Sequence, residues 1–274
     1  PAETFDFTRF NTGDYYGTIE RTQDAEMISS VLYPNDSTQN GRELRLKQQY
    51  YFVSATLQDI VRRFKADNIN LNDLPKKVAM QLNDTHPSMA VIELLRVLID
   101  ENQFDFKTAW SVVTQVFSYT NHTILPEALE KWSVEMIGRI LPRHLELIYL
   151  VNYHFMEDVK SKFPNDNDLL RRLSLIEESN PKQVRMANLS IHGSHKVNGV
   201  SAIHSNILKE STFKEFYRLS PEKFLNVTNG VTARRWLAQA NPGLLELYTD
   251  SLGSTDFLLN LDLVRTLSPK IDDV

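Results

Sequence analysis

The sequence contains no cysteine among its 274 residues. That excludes disulfides, thiolate zinc sites, iron–sulfur clusters and cysteine nucleophiles together, and it suits a reducing compartment. Long apolar runs are missing as well: none approaches the roughly 18 residues that a membrane helix requires. There is no basic excess. Lys and Arg number 30 against 35 Asp and Glu, a net charge of −5, so neither nucleic acid nor an anionic membrane is expected as a main partner. Short catalytic signatures are absent too. There is no G-x-S-x-G elbow, no G-x-G-x-x-G, no Walker loop and no H-E-x-x-H, so a nucleotide would have to be held by side chains.

The remaining composition is that of a globular protein, 42% hydrophobic and 24% charged, with length for one large domain or two ordinary ones. Pro1-Ala2-Glu3-Thr4 and Ile271-Asp272-Asp273-Val274 read as cut points in a longer chain. Sequons at Asn35, Asn83, Asn121, Asn188 and Asn226 read as residues of turns and strand ends rather than as glycosylation sites.

Apolar periodicity predicts helices over residues 24–32, 42–64, 89–99, 142–160, 166–176, 200–208 and 232–240, with another starting at Pro126. The helix over 142–160 carries Leu145, Ile148, Tyr149, Asn152 and Phe155 in register. Short apolar runs predict buried strands at 78–82, 112–119, 184–191 and 224–227. Each runs into a polar turn: Asn83-Asp84-Thr85-His86, Thr120-Asn121-His122-Thr123, His192-Gly193-Ser194-His195 and Thr228-Asn229-Gly230. Strand, turn and helix recurring four times predict an α/β fold, a doubly wound and largely parallel sheet flanked by helices. Ligands of such sheets bind outside the carboxyl ends of the strands. Asp84, His86, His122, His195 and Asn229 are therefore expected along one edge.

Carboxamides, hydroxyls and imidazoles exchange hydrogen bonds without imposing a large charge, which suits a polyhydroxylated neutral ligand such as a sugar. The plainer alternative is that Asn and Thr cap the helices that follow. Asp84, His86, His122 and His195 are metal-ligand types, but they lie on separate elements with no short ligand spacing, and no metal is expected. Asp84 and Glu127 are the kind of carboxylate pair a glycoside hydrolase uses, although the sequence sets no separation between them. Arg62-Arg63 and Arg234-Arg235 suit a phosphate, whereas Arg171-Arg172 shows how often such a pair is a solvated helix end.

Longer blocks carry a closer likeness. Leu44-Arg45-Leu46-Lys47-Gln48, the run from Ala55 to Phe64, Gln81-Leu82-Asn83-Asp84-Thr85-His86-Pro87-Ser88 and the run from Tyr119 to Glu130 resemble the α-glucan (glycogen) phosphorylase family. Gly193-Ser194-His195-Lys196-Val197-Asn198-Gly199-Val200 and Thr228-Asn229-Gly230-Val231-Thr232 follow in that family's order and spacing. The likeness runs from residue 5 to the end, with a yeast-like fungal member nearest in kind.

The resemblance implies a two-domain glycosyltransferase fold of the GT-B type with its active site in the cleft. Residues 1–229 would be the later part of the N-terminal glucan- and effector-binding domain, and 230–274 the start of the C-terminal cofactor-binding domain. It implies phosphorolysis: orthophosphate attacks the terminal glucose of an α-1,4-glucan such as glycogen, giving glucose 1-phosphate with retention. Pyridoxal phosphate would supply its 5′-phosphate as a proton shuttle. A cytoplasmic homodimer under allosteric control by a phosphorylated effector also belongs to the implied picture, with the early helices at the dimer interface.

By the same resemblance, the His122 ring bonds the glucose 6-hydroxyl while its carbonyl faces the anomeric centre, and Asn229 holds the 4- and 6-hydroxyl edge. Asp84, His86, Thr123 and Glu130 form the polar pocket beside the sugar's β face. Asn35, Asp36 and Ser37 belong to a mobile gate loop, and Trp236 packs against the cofactor. Arg62 and Arg63 match effector-phosphate arginines, and Glu178 and Lys182 part of a surface glycogen-storage site. There are departures. Ser37, Thr38 and Gln39 stand where animal members carry Asn and two Phe, and Ala233 replaces a proline. The lysine that would carry the cofactor lies in a later block, so the chain alone is expected to be inactive. The rival expectation is a non-catalytic glucan-binding or regulatory module.

Overall fold

The computed structural model describes residues 5–67 and 70–270, and the two terminal tetrapeptides read as cut points lie outside them. The chain divides into two compact units, Pro1–Val227 and Thr228–Val274. The first begins with α1 (Phe7–Asn11), α2 (Gly17–Ser30), α3 (Gln39–Ala66), β1 (Met80–Asn83) and α4 (Met89–Arg96). It continues through α5 (Phe106–Val116), β2 (Phe117–Thr120), β3 (Lys131–Ser133), α6 (Val134–Ile140), α7 (Pro142–Lys162) and α8 (Asn167–Leu173). Next come β4 (Ile176–Glu177), β5 (Gln183–Arg185), α9 (Met186–His192), β6 (Lys196–Gly199), α10 (Ala202–Ile207), α11 (Lys214–Leu219) and β7 (Phe224–Asn226).

Strands β1, β2, β6 and β7 make, in that order, a wholly parallel sheet. The mixed α/β architecture with a helix-flanked parallel sheet is the one the sequence predicts. A register row of Leu82, Tyr119, Val197 and Phe224 turns one sheet face into the core. The other face is polar and satisfies itself. Ser118 Oγ donates to Gln81 Oε1 at 2.7 Å, Gln81 Nε2 to Thr120 Oγ1 at 2.8 Å, and Thr120 Oγ1 to Asn198 Oδ1 at 2.9 Å. A second, antiparallel sheet of β3, β5 and β4, which the sequence reading did not anticipate, lies elsewhere in this unit.

Local chemistry sets the helix starts. Thr38, Asp105, Ser133 and Asp166 each accept a backbone N–H at the first turn of α3, α5, α6 and α8, and Pro142 begins α7 without wasting a donor. On α3 the buried positions Leu46, Val53, Leu57, Val61 and Phe64 recur at helical spacing, while Tyr51 is exposed. Tyr149 of α7 is likewise exposed rather than buried.

Two expected strands need correction. Residues 112–116 complete α5, and β2 begins only at Phe117. Residues 186–191, expected as strand, are helix α9, and the third parallel strand is β6. The expected helix at Pro126 is a single 3₁₀ turn, Pro126–Ala128.

The second unit holds a π-helical stretch, Arg234–Gln239, then α12 (Pro242–Leu252) and 3₁₀ turns at Asp256–Leu258 and Leu261–Lys270. Gly253 closes α12 at φ 73°, a left-handed conformation that suits glycine. Its buried anchor is Phe257, whose ring meets Tyr248 edge-on at 5.7 Å.

Candidate active site

At the carboxyl edge of the parallel sheet the strands hand over to polar turns. Asp84 N donates to Thr120 O, Asn121 N to Asn198 O and Val227 N to Gly199 O, so the pairing continues one residue past each strand and pins the turns. Asp84 itself stands at φ 67°, which costs a non-glycine residue on the order of 1 kcal/mol or more and is held by the surrounding bonds. Its Oδ1 is buried without a hydrogen-bond partner among the described residues, and its Oδ2 lies 3.6 Å from His86 Nε2.

Glu130 faces this turn from the segment before β3. Thr85 Oγ1 donates to its Oε2 at 3.5 Å, and Gln49 Nε2 donates to its Oε1 at 2.9 Å. Arg45 Nε stands 3.8 Å from the same Oε1. Burial pushes the Glu130 carboxyl up. The Gln49 bond and the charges of His86 and Arg45 oppose that rise, Asp84 adds to it, and the net direction is upward. Arg45 also reaches Asp36 Oδ2 at 2.8 Å and lies 5.7 Å from the centre of the Tyr33 ring, which meets His86 edge-on at 6.0 Å. One arginine thus ties the 35–37 loop to the pocket carboxylate. Asn35 Oδ1 caps Ser37 N at 2.9 Å, and the Asn35 carbonyl lies where a side chain at position 41 would have to sit, so Gly41 is required by this close approach.

His122 is exposed beside the cluster, with Nε2 2.6 Å from Asn83 Oδ1. With the amide oxygen as acceptor, Nε2 carries the proton and Nδ1 remains an acceptor. Behind it, Asn121 is buried, donating to the Tyr119 hydroxyl at 3.1 Å and bonding His204 Nε2 through Oδ1 at 3.1 Å. Burial raises the Tyr119 phenol and lowers the His204 imidazole, to which the nearby His122 adds. Thr123 turns its hydroxyl back to cap Leu125 N at 3.2 Å.

Not every expected residue joins this group. His195 precedes β6, and its N–H bonds Phe117 O at the start of β2, so it sits at the amino edge. The misplaced third strand caused that error, and it also breaks up the imagined four-residue metal set. Arg62 and Arg63 end α3, both paired with Asp59, about 25 Å along the helix from Arg45 at 1.5 Å per residue. Glu178 and Lys182 pair with each other on the β4–β5 loop. Asn229 and Trp236 belong to the second unit, where both are exposed and the Arg235 guanidinium lies 5.7 Å from the centre of the Trp236 ring. Arg45, Gln49 and Asn83 were missed as site residues. The signal for the first two was present, since residues four apart on a helix share a face.

The class defined by this architecture is α/β with a helix-flanked parallel sheet, whose carboxyl edge gathers the strained aspartate and the partly buried glutamate. The model of the carbohydrate phosphorylase family matches residues 1–274. The chain is 51% identical over 277 residues to a glycogen phosphorylase of Saccharomyces cerevisiae, covering 100% of this chain and 31% of that protein. It is 51% identical over 271 residues to one of Synechocystis, covering 99% and 32%, and 50% identical over 277 residues to the muscle form of Bos taurus, covering 98% and 33%. The chain belongs to the carbohydrate phosphorylase family. It spans about a third of the length of these relatives.

Proposed function

We propose that this chain supplies the glucosyl-binding face of an α-glucan phosphorylase, which transfers the terminal glucose of glycogen or another α-1,4-glucan to orthophosphate and releases glucose 1-phosphate. The observation that carries the proposal is the group at the carboxyl edge: Asp84, His86 and Glu130 held by Gln49 and Arg45, with His122 exposed beside them. It offers a neutral hexose several acceptors and an imidazole. The exposed His122 ring hydrogen-bonds a sugar hydroxyl, with Asp84 behind it beside His86. Glu130, with its carboxyl shifted upward by burial, is readied to share a proton with a neighbour. Thr123 shapes the backbone after His122. Asn229 is the last residue of the N-terminal domain, with the boundary to the C-terminal domain after it.

The 35–37 loop, latched by Asp36 to Arg45, gates the pocket and excludes water, which would otherwise divert transfer into hydrolysis. Pyridoxal phosphate fits the reading through Trp236, an exposed planar ring beside the Arg235 cation that suits a phosphorylated pyridine. When bound, that cofactor supplies a phosphate for proton transfer. The chain's own residues bind and orient the sugar.

The exposed Tyr149 beside the Glu178–Lys182 pair supports a second, surface glucan contact. Arg62 and Arg63 at the end of α3 support a phosphorylated effector, and exposed Phe7, Tyr16 and Met27 on α1, α2 and the segment between them support a homodimer. The enzyme acts in the cytoplasm; among the described residues no helix is long and apolar enough to cross a membrane.

The test is to incubate the full-length protein with glycogen and orthophosphate and to assay glucose 1-phosphate. Phosphate-dependent release supports the proposal. Glycogen binding with no product leaves the binding-module alternative standing.

A further inference from the structure

A second cavity, of about 430 Å³, lies at the opposite, amino edge of the parallel sheet, among α5, α7, α11 and the residues just before β6 and β7. One wall is aromatic. The His192 ring stacks on Phe155 at 3.9 Å and lies 5.0 Å from Trp110, and Phe216 stacks on Phe155 at 6.0 Å. Desolvation and the Lys223 charge hold the His192 imidazole down at about 3, so this wall is uncharged at neutral pH.

Two polar groups in the lining lack adequate partners. Ser194 is fully buried, and its Oγ meets no hydrogen-bond partner among the described residues. A buried hydroxyl left in that state is destabilising unless something in the cavity bonds it. Lys223 is half-buried, and among the described residues its Nζ donates only to the Ile191 and His192 carbonyls, at 3.3 and 3.5 Å. No carboxylate lies within 4.0 Å of it among the described residues. Burial pulls the Lys223 ammonium down to about 8, and the charge of the neighbouring Glu222 offsets that fall only in part. The other charged lining residues, Asp158, Lys162 and Glu222, are exposed.

We propose that this cavity binds a planar aromatic acid, whose acid group pairs with Lys223 and takes a hydrogen bond from Ser194 Oγ while its ring lies against the Trp110–His192–Phe155 wall. A neutral aromatic would fill the wall and leave both polar groups unsatisfied, and an inorganic anion would pair with Lys223 and leave the wall wet. A molecule carrying both features satisfies the whole lining, and the volume falls in the range of about 300–1,000 Å³ typical of small-molecule sites. None of these residues belongs to the group at the carboxyl edge, so the inference stands apart from the phosphorolysis reading.

Titration calorimetry on the full-length protein tests it, with naphthalene-2-carboxylate and its neutral counterpart naphthalene-2-carboxamide as probes. The acid is expected to bind once per chain and the amide about tenfold more weakly. Lys223→Gln is expected to reduce the acid's affinity to that of the amide, Lys223→Arg to retain most of it, and Ser194→Ala to weaken it severalfold. Because Lys223 also caps the end of α9, circular dichroism first establishes which variants fold. If Lys223→Gln does not, the acid–amide comparison on the unaltered protein and the Ser194→Ala variant decide. Equal affinity for acid and amide, no binding of either at millimolar concentration, or a Lys223→Gln protein that binds the acid as well as its parent overturns the proposal.

Discussion

Replacing Glu93 by Gln is the sharpest test of how this fold is held. Glu93 lies on α4 with none of its side chain exposed. It accepts from Ser54 Oγ at 2.8 Å, from Arg96 Nε and Nη2 at 2.9 and 3.0 Å, from His144 Nε2 at 2.6 Å and from the Tyr50 hydroxyl at 3.4 Å. Burial pushes its carboxyl up, but the bonds from His144, Arg96 and Ser54 outweigh that and hold it at about 2, against 4.5 for a free glutamate. The folded-state value lies below the unfolded one. The charge therefore stabilises the fold above pH 4.5, and that contribution fades as pH falls toward 2. A difference near 2.5 units is worth about 3 kcal/mol at pH 7 and about 1 kcal/mol at pH 3. Glu93→Gln removes the charge and leaves Glu101 as the carboxylate paired with Arg96 among the described residues. At roughly 2–4 °C per kcal/mol for a chain of this size, melting at pH 7 is expected to drop by about 6–12 °C, and the gap to the parent is expected to narrow by more than half at pH 3. A drop under 1 °C, or a gap that does not change with pH, would refute the reasoning.

Three further outcomes are expected. His122→Ala in the full-length protein should lower kcat/KM for glucan phosphorolysis by about 30- to 900-fold, equivalent to 2–4 kcal/mol of transition-state stabilisation, and unchanged kinetics would remove His122 from the site. Gly193→Ala should destabilise by about 1–3 kcal/mol in chemical denaturation, because the new Cβ meets the Val91 methyl carbons at 2.5 and 2.9 Å in a packed core. Arg45→Ala should cut the latch between Asp36 and Glu130, and limited proteolysis at residues 35–37 should then become faster than in the parent.

Sequence alone carried the parallel sheet where pattern and packing agree. Met80–Asn83 is a short run with its apolar row facing the core, ending in a turn rich in hydrogen-bonding side chains, and it reads correctly. Val112, Val113 and Val116 favour a strand by their β-branching, yet they are buried on α5, where packing overrides propensity. Met186, Ala187, Asn188, Leu189, Ser190 and Ile191 are all buried, so α9 has no polar face and leaves no helical period to detect. That one mistake moved the third strand forward and carried His195 to the wrong edge. The pocket was partly legible. Asp84, His86 and His122 announce themselves as polar residues after strands, whereas Arg45 and Gln49 act across a distance of 81 residues in sequence between Gln49 and Glu130 that no local pattern encodes.

A crystal structure of the full-length protein soaked with glucose 1-phosphate tests where the sugar sits. A hexose is expected at the carboxyl edge of the parallel sheet, with a hydroxyl within about 3 Å of the His122 side chain. A sugar bound elsewhere, or one out of reach of His122, would overturn the assignment.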